Sequence, residues 1–224
     1  MNKYIIGFAA IIIIYYLYWT SIKVEPFATD KDKSIILLGD SILKNNKYVK
    51  DGQSVEDFIR QKTKASASIY CFAKDDSTIQ DVYRQINNMN RINKEFSIIF
   101  LSIGGNNILQ GGESLSRIFK QYMEMVEDII ERMNKSNTLV LLNLYYPTDI
   151  KYLRFYPSIR KWNELLNIFV KDTKTNTRAK AKDINIQVLD ASEILTQPSD
   201  FTSEIEPSEI GGRKLANKIA ATSI

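Results

Sequence analysis

Three short stretches of the chain carry side chains suited to acyl transfer. Gly39-Asp40-Ser41 follows the apolar run Ser34–Leu38 and sets a hydroxyl just after a glycine turn. A serine that opens a helix there would meet free backbone amides and the positive end of the helix dipole, which favour an oxyanion. Gly104-Gly105-Asn106-Asn107 follows a second apolar run, Phe96–Ile103. Paired glycines let the backbone approach a ligand, and an asparagine amide can donate to a developing oxyanion. Near the C-terminus, Ser203-Glu204-Ile205-Glu206-Pro207-Ser208 supplies a carboxylate that could accept a serine proton. Each stretch also has a plainer reading: an N-cap serine, a loop turn, and a structural carboxylate before the last helix.

Composition limits the chemistry further. The 224 residues contain no histidine, so a histidine base and a histidine metal site are excluded. One cysteine allows neither an internal disulfide nor a cysteine-rich metal site. Asp40, Asp75, Asp76 and Glu206 lack a recognised cation-binding loop, and neither metal nor cofactor is expected. Cys71 falls in a buried strand and reads as packing. A net charge of +4, from 30 Lys and Arg against 26 Asp and Glu, gives no nucleic-acid signature.

The elements that must position these residues alternate. Apolar runs at Ser34–Leu38, Ser68–Phe72, Phe96–Ile103, Thr138–Leu144 and Ile186–Leu189 read as buried strands. Between and after them, helical spacing covers Ser54–Lys64, Thr78–Met89, Leu115–Met133, Ser158–Thr177 and Ser208–Ala221. Short apolar strands alternating with helices predict an α/β protein whose parallel sheet is covered on both faces. In such folds the ligand site lies beyond the C-terminal ends of the strands, where Ser41 and Asn106 fall.

Together the two glycine-containing turns resemble those of the SGNH (GDSL-type) hydrolases. The resemblance runs from Ile35 to the C-terminus and rests on LLGDSILKNNKYVKDGQSV, FAKDDSTIQDVYRQI, SIGGNNIL and IEPSEIGGRKLANKI. It implies a flavodoxin-like three-layer sandwich with a five-stranded parallel sheet, and ester hydrolysis through an acyl-serine. Carried over position by position, it makes Ser41 the nucleophile and Asn106 an oxyanion donor. Gly39, Asp40, Asp76, Gly105 and Asn107 would border the oxyanion site and pocket. Asp76 stands where the family carries glycine, and Asn107 where it carries aspartate. The largest departure is at the end: Glu206 occupies the histidine position and Ser203 that of its aspartate partner. Two readings of Glu206 follow, a base and a structural carboxylate. Glutamate ordinarily titrates near pH 4.3, so a base role requires burial or a like charge such as Asp76 to raise its pKa. Correspondingly, the domain reads as an esterase-like hydrolase of a small molecule, lipid or glycan ester, or as an inactive relative that binds or builds.

Residues 4–22 are apolar on every face, about 19 residues, close to the length that spans a bilayer. Tyr15, Tyr16, Tyr18 and Trp19 gather at their C-terminal end, as interface anchors do. The stretch reads as a single-pass transmembrane signal-anchor over residues 1–22, with a cleaved signal peptide as the alternative. No small-x-small cleavage site follows. A polar linker, 23–33, joins it to the hydrolase-like domain, 34–224. Lysines flank both sides of the segment, so orientation stays open, with the membrane as the expected partner.

Overall fold

The computed structural model describes residues 33–63, 67–89, 91–92, 96–175 and 184–223. The proposed anchor, 4–22, and most of the linker lie outside the described residues. Among the described residues, no helix is long and apolar enough to cross a membrane.

Five strands form one parallel sheet: β1 (Lys33–Gly39), β2 (Ser68–Cys71), β3 (Phe96–Ser102), β4 (Thr138–Leu142) and β5 (Asn185–Leu189). Their order is β2-β1-β3-β4-β5. Every pairing is parallel, with Gly39 opposite Ser102 at the end of the β1–β3 ladder. This is the doubly wound flavodoxin order.

Strand periodicity divides the core in two. Ile36, Leu38, Ile99 and Leu101 point to one face and pack on α2 (Ile79–Met89), α4 (Leu115–Arg132) and α5 (Tyr156–Thr175). Ile35, Leu37, Phe100 and Val140 point to the other, against α1 (Val55–Thr63) and α7 (Glu209–Ser223). The result is three layers. Each fully buried Leu or Ile stabilises the fold by about 1.5–3 kcal/mol. Trp162 of α5 is fully buried, edge-on to Phe119 and Tyr122 of α4.

Helix starts follow the sequence signals. Ser54 caps α1: its Oγ accepts the Asp57 amide at 3.1 Å, and the Asp57 carboxylate accepts from the Ser54 amide at 3.0 Å. Thr78 and Asp81 repeat part of this arrangement at α2.

Several elements differ from the sequence expectation. Ser41 does not open a helix: residues 41–43 form a turn, and α1 begins only at Val55. The Gly104-Gly105 turn instead launches a short helix, α3 (Gly105–Gln110), with Gly104 at φ 114°. Pro157 lies inside the first turn of α5, where its missing N–H has no helical partner to lose. Weak periodicity hid the 3-10 turn Ile150–Phe155, the four-residue α6 (Ala191–Ile194) and the 3-10 turn Pro198–Asp200. It also hid the hairpin of β6 (Phe201–Thr202) and β7 (Glu206–Pro207).

Candidate active site

The chain leaves β1 toward β2 on one side and returns through β3 on the other. The crevice beyond the ends of β1 and β3 is the topological switch point of the sheet. Gly39 and Asp40 are built into that edge. The buried Gln85 side chain grips both backbone groups of Gly39, accepting from its N–H at 2.7 Å and donating to its C=O at 2.9 Å. The Asp40 amide donates to the Ser102 carbonyl at 3.0 Å. Asp40 Oδ1 accepts from the Ser102 hydroxyl at 3.1 Å and from the Ile42 amide at 3.2 Å.

A cleft of about 540 Å³, part of it open to solvent, lies above these residues. Asp40, Ser41, Gly105, Asn106 and Glu206 border it together, so all three expected reactive groups reach one place. Ile108, Leu109, Leu144, Phe155 and Ile159 supply its apolar wall. Asn163 holds Leu144 in that wall, accepting from its amide at 2.9 Å and donating to its carbonyl at 2.7 Å.

Asn106 spends one amide hydrogen on the Ser77 carbonyl, 2.9 Å away, which fixes the side chain at the cleft edge with a second N–H to give. The Ser41 amide donates to no group among the described residues. Both donors suit an oxyanion.

Glu206 sits on β7, 8% exposed. Ser41 and Glu206 make no hydrogen bond of good geometry, yet the hydroxyl is near enough to act on the carboxyl's pKa. Burial raises that pKa to about 7; the Ser41 hydroxyl works against the rise, and the charges of Asp75 and Asp76 add to it. Glu206 Oε2 is buried with no hydrogen-bond partner among the described residues. Burial likewise raises Asp40 to about 7, opposed by the Ile42 and Ser102 bonds and reinforced by Glu206. Two carboxyls thus stand in the cleft with raised pKa values, a pattern typical of acid–base sites.

Three expected pocket residues, Gly39, Asn107 and Asp76, do not border the cleft; Gly39 stays within the β1–β3 ladder, opposite Ser102. Asn107 turns away and accepts the Ile79 amide at 3.1 Å, capping α2. Asp76 is exposed on the turn after β2, with φ 59°. That left-handed backbone suits glycine and is tolerated by aspartate. Its neighbour Asp75 is bound by Lys47 at 2.7 Å and by the Tyr48 hydroxyl at 2.9 Å. Ser203 is exposed in the β6–β7 turn at φ 42° and provides no carboxylate behind Glu206. Cys71 sits apart, its thiol pushed up to about 12 by burial and then by the charge of Glu56.

The profile of the GDSL-like lipase/acylhydrolase family matches residues 35–219. The chain belongs to this family. Solved structures of similar fold include a lipolytic protein of the G-D-S-L family from Veillonella parvula. It is 21% identical, with a TM-score of 0.68 over 84% of this chain and 97% of that one. A putative acylhydrolase from Bacteroides fragilis is 14% identical, with a TM-score of 0.63 over 85% and 86%. An acetyl xylan esterase is 13% identical, with a TM-score of 0.62 over 85% and 100%. No curated protein matches the chain. The GDSL-like domain carries the sequence Gly39-Asp40-Ser41 at the end of β1.

Asn45 was not singled out for this site by the sequence. Asn45 lies a few residues past the serine turn and gave no local signal. Tyr145, after β4, borders the cleft and packs its ring on Phe201, with centroids 5.3 Å apart.

Proposed function

We propose that this GDSL-family domain is an esterase-like hydrolase working through a Ser41–Glu206 pair. The observation that carries the reading is the buried Glu206 carboxyl beside the Ser41 hydroxyl, its pKa raised to about 7. A carboxylate with an ordinary pKa is too weak a base; one raised to near the working pH is matched to the task.

In the proposed cycle Ser41 Oγ attacks the ester carbonyl carbon as Glu206 takes its proton. The tetrahedral oxyanion accepts hydrogen bonds from the Ser41 amide and Asn106 Nδ2. Collapse breaks the carbon–oxygen bond, and the alcohol leaves with the proton from Glu206. Water then attacks the acyl-serine, giving its proton to Glu206 and releasing the acid, and Ser41 regains its proton. The apolar wall of the cleft suits the acyl part of a small-molecule, lipid or glycan ester. Residues 4–22 would tether the domain to a membrane in a single pass.

A second reading, a member of the fold that binds without turnover, draws on Ser203, which offers nothing to orient a base, and on Asp76. Fluorophosphonate labelling of the full chain in detergent, across mildly acidic to alkaline pH, separates the two. Hydrolysis predicts labelling of the wild type, none of Ser41→Ala, and labelling slowed about 10²- to 10⁴-fold in Glu206→Gln. A wild type that stays unlabelled at every pH supports the binding reading.

A further inference from the structure

Glu206 lacks what usually aims a catalytic base. No residue among those described accepts from or donates to its buried Oε2, and Ser203 supplies no second carboxylate. Its direction must come from the backbone that carries it. The carbonyls on both sides of Glu206 are taken by side chains from distant parts of the chain. The Tyr145 hydroxyl, after β4, donates to the Ile205 carbonyl at 2.5 Å. Asn45 Nδ2, after the serine turn, donates to the Pro207 carbonyl at 2.8 Å. Asn45 is fully buried, and its Oδ1 accepts the Val55 amide at 2.8 Å, so it cannot swing away without uncapping α1.

We propose that Asn45 and Tyr145 are the positioning residues of this site, gripping the backbone on either side of Glu206 and so aiming its carboxylate at Ser41. The proposal rests on the Ser41–Glu206 reading. Neither residue needs to touch substrate: they act through Glu206. Hairpin pairing of Thr202 with Glu206 holds the same residue from its other edge.

Tyr145 suits the task chemically. Burial, and then the charges of Glu206 and Asp40, hold its phenol well above the ordinary pKa, so it stays a donor throughout the working range. Glu206 is faced by Asp40 after β1, Asp75 and Asp76 after β2, and the phenols of Tyr48 and Tyr145. Releasing the hairpin would let water reach the carboxylate and remove the main cause of its raised pKa.

The test uses Tyr145→Phe, which keeps the ring on Phe201 and deletes only the donor, alongside Asn45→Asp, which keeps the acceptor for Val55. With a short-chain ester, Tyr145→Phe is expected to lower kcat about ten- to a hundredfold with little change in KM. On a Glu206→Gln background the same change should have no further effect. Carbon-13 titration of the labelled Glu206 carboxyl should show its midpoint falling toward the ordinary glutamate value in Tyr145→Phe, a readout that needs no turnover. Asn45→Asp is read in the same three ways if its thermal melt shows a folded chain; Tyr145→Phe decides the matter if it does not. Undiminished kcat with an unmoved Glu206 titration overturns the proposal and leaves the hydrolase reading standing. Additive losses with Glu206→Gln also overturn it, since Tyr145 would then act on substrate directly. Absence of turnover in the wild type instead removes the hydrolase reading. The carboxyl titration then decides whether the two residues hold Glu206 at all.

Discussion

A Cβ placed on Gly39 would stand 1.8 Å from the carbonyl oxygen of Ser102, its register partner across β1 and β3. The glycine also holds φ 126°, which side chains rarely adopt. Both constraints exist because the serine turn leaves the sheet at the switch point while still bonded to β3. Gly39→Ala is therefore expected to destabilise the domain by about 3 kcal/mol or more, since neither the backbone nor Gln85 can give way. Urea unfolding checks this; a loss under about 1 kcal/mol would mean the β1–β3 edge relaxes easily.

Removing the Glu206 charge should stabilise the protein at alkaline pH. Its folded pKa, about 7, lies above the ordinary glutamate value of about 4.5. The folded state therefore binds the proton more tightly than the unfolded chain. That contribution is fully present below about pH 4.5 and is lost as pH rises through 7. The shift corresponds to a few kcal/mol, on the order of 3. Glu206→Gln should match the wild type in thermal melts near pH 4.5 and exceed it at pH 8. A variant less stable than wild type at both values would make Glu206 a structural carboxylate that the fold needs charged.

Asp76 occupies a left-handed turn position, and its charge helps to raise Glu206. Asp76→Gly should relieve the backbone strain, a gain of up to about 1 kcal/mol less the added freedom of the unfolded glycine. On the hydrolase reading it should also move the acidic limb of the kcat/KM profile to lower pH, because a like charge near the base is gone. The displacement should be smaller than full relaxation to glutamate's ordinary value, since burial is the larger cause and Asp75 remains. An acidic limb that moves upward would show that Asp76 does not act on Glu206 by charge.

How far the site could be read before the fold was known depends on where its information lies. The apolar strands and the turns after them are local patterns, so Gly39-Asp40-Ser41 and Gly104-Gly105-Asn106 could be placed at strand ends, and the switch point followed. Glu206 could be matched by the surrounding IEPS motif, and Asp76 could be named as a like charge acting on it, but its burial and the charge of Asp75 could not be read. Burial is the first cause of its raised pKa, and only the fold shows it. The hairpin that carries it is two residues per strand, too short for any periodicity. The expected helix at Ser41 failed because a serine after a glycine turn is equally at home in a tight turn, and the apolar spacing that would mark a helix starts only at Val55. Asn45, Gln85 and Tyr145 act through backbone groups far away in sequence, which no local pattern encodes.

Asn106 and Asn107 are adjacent and identical in type, yet the structure gives them different work. Asn106 borders the cleft with one amide hydrogen on the Ser77 carbonyl; Asn107 faces away and caps α2 through the Ile79 amide. On the hydrolase reading, Asn106→Ala removes an oxyanion donor and should lower kcat by about 10²- to 10³-fold. Asn107→Ala removes a helix cap and should cost about 1 kcal/mol of stability. Its kcat should stay within a few-fold of wild type at a temperature where the protein is folded. Asn106→Ala loses stability too, about 1 kcal/mol for the Ser77 bond, so melting alone cannot separate the two. Turnover does. Equal losses of kcat in both variants would mean that the α2 cap and the cleft move as one unit, and the oxyanion role would no longer belong to Asn106 alone.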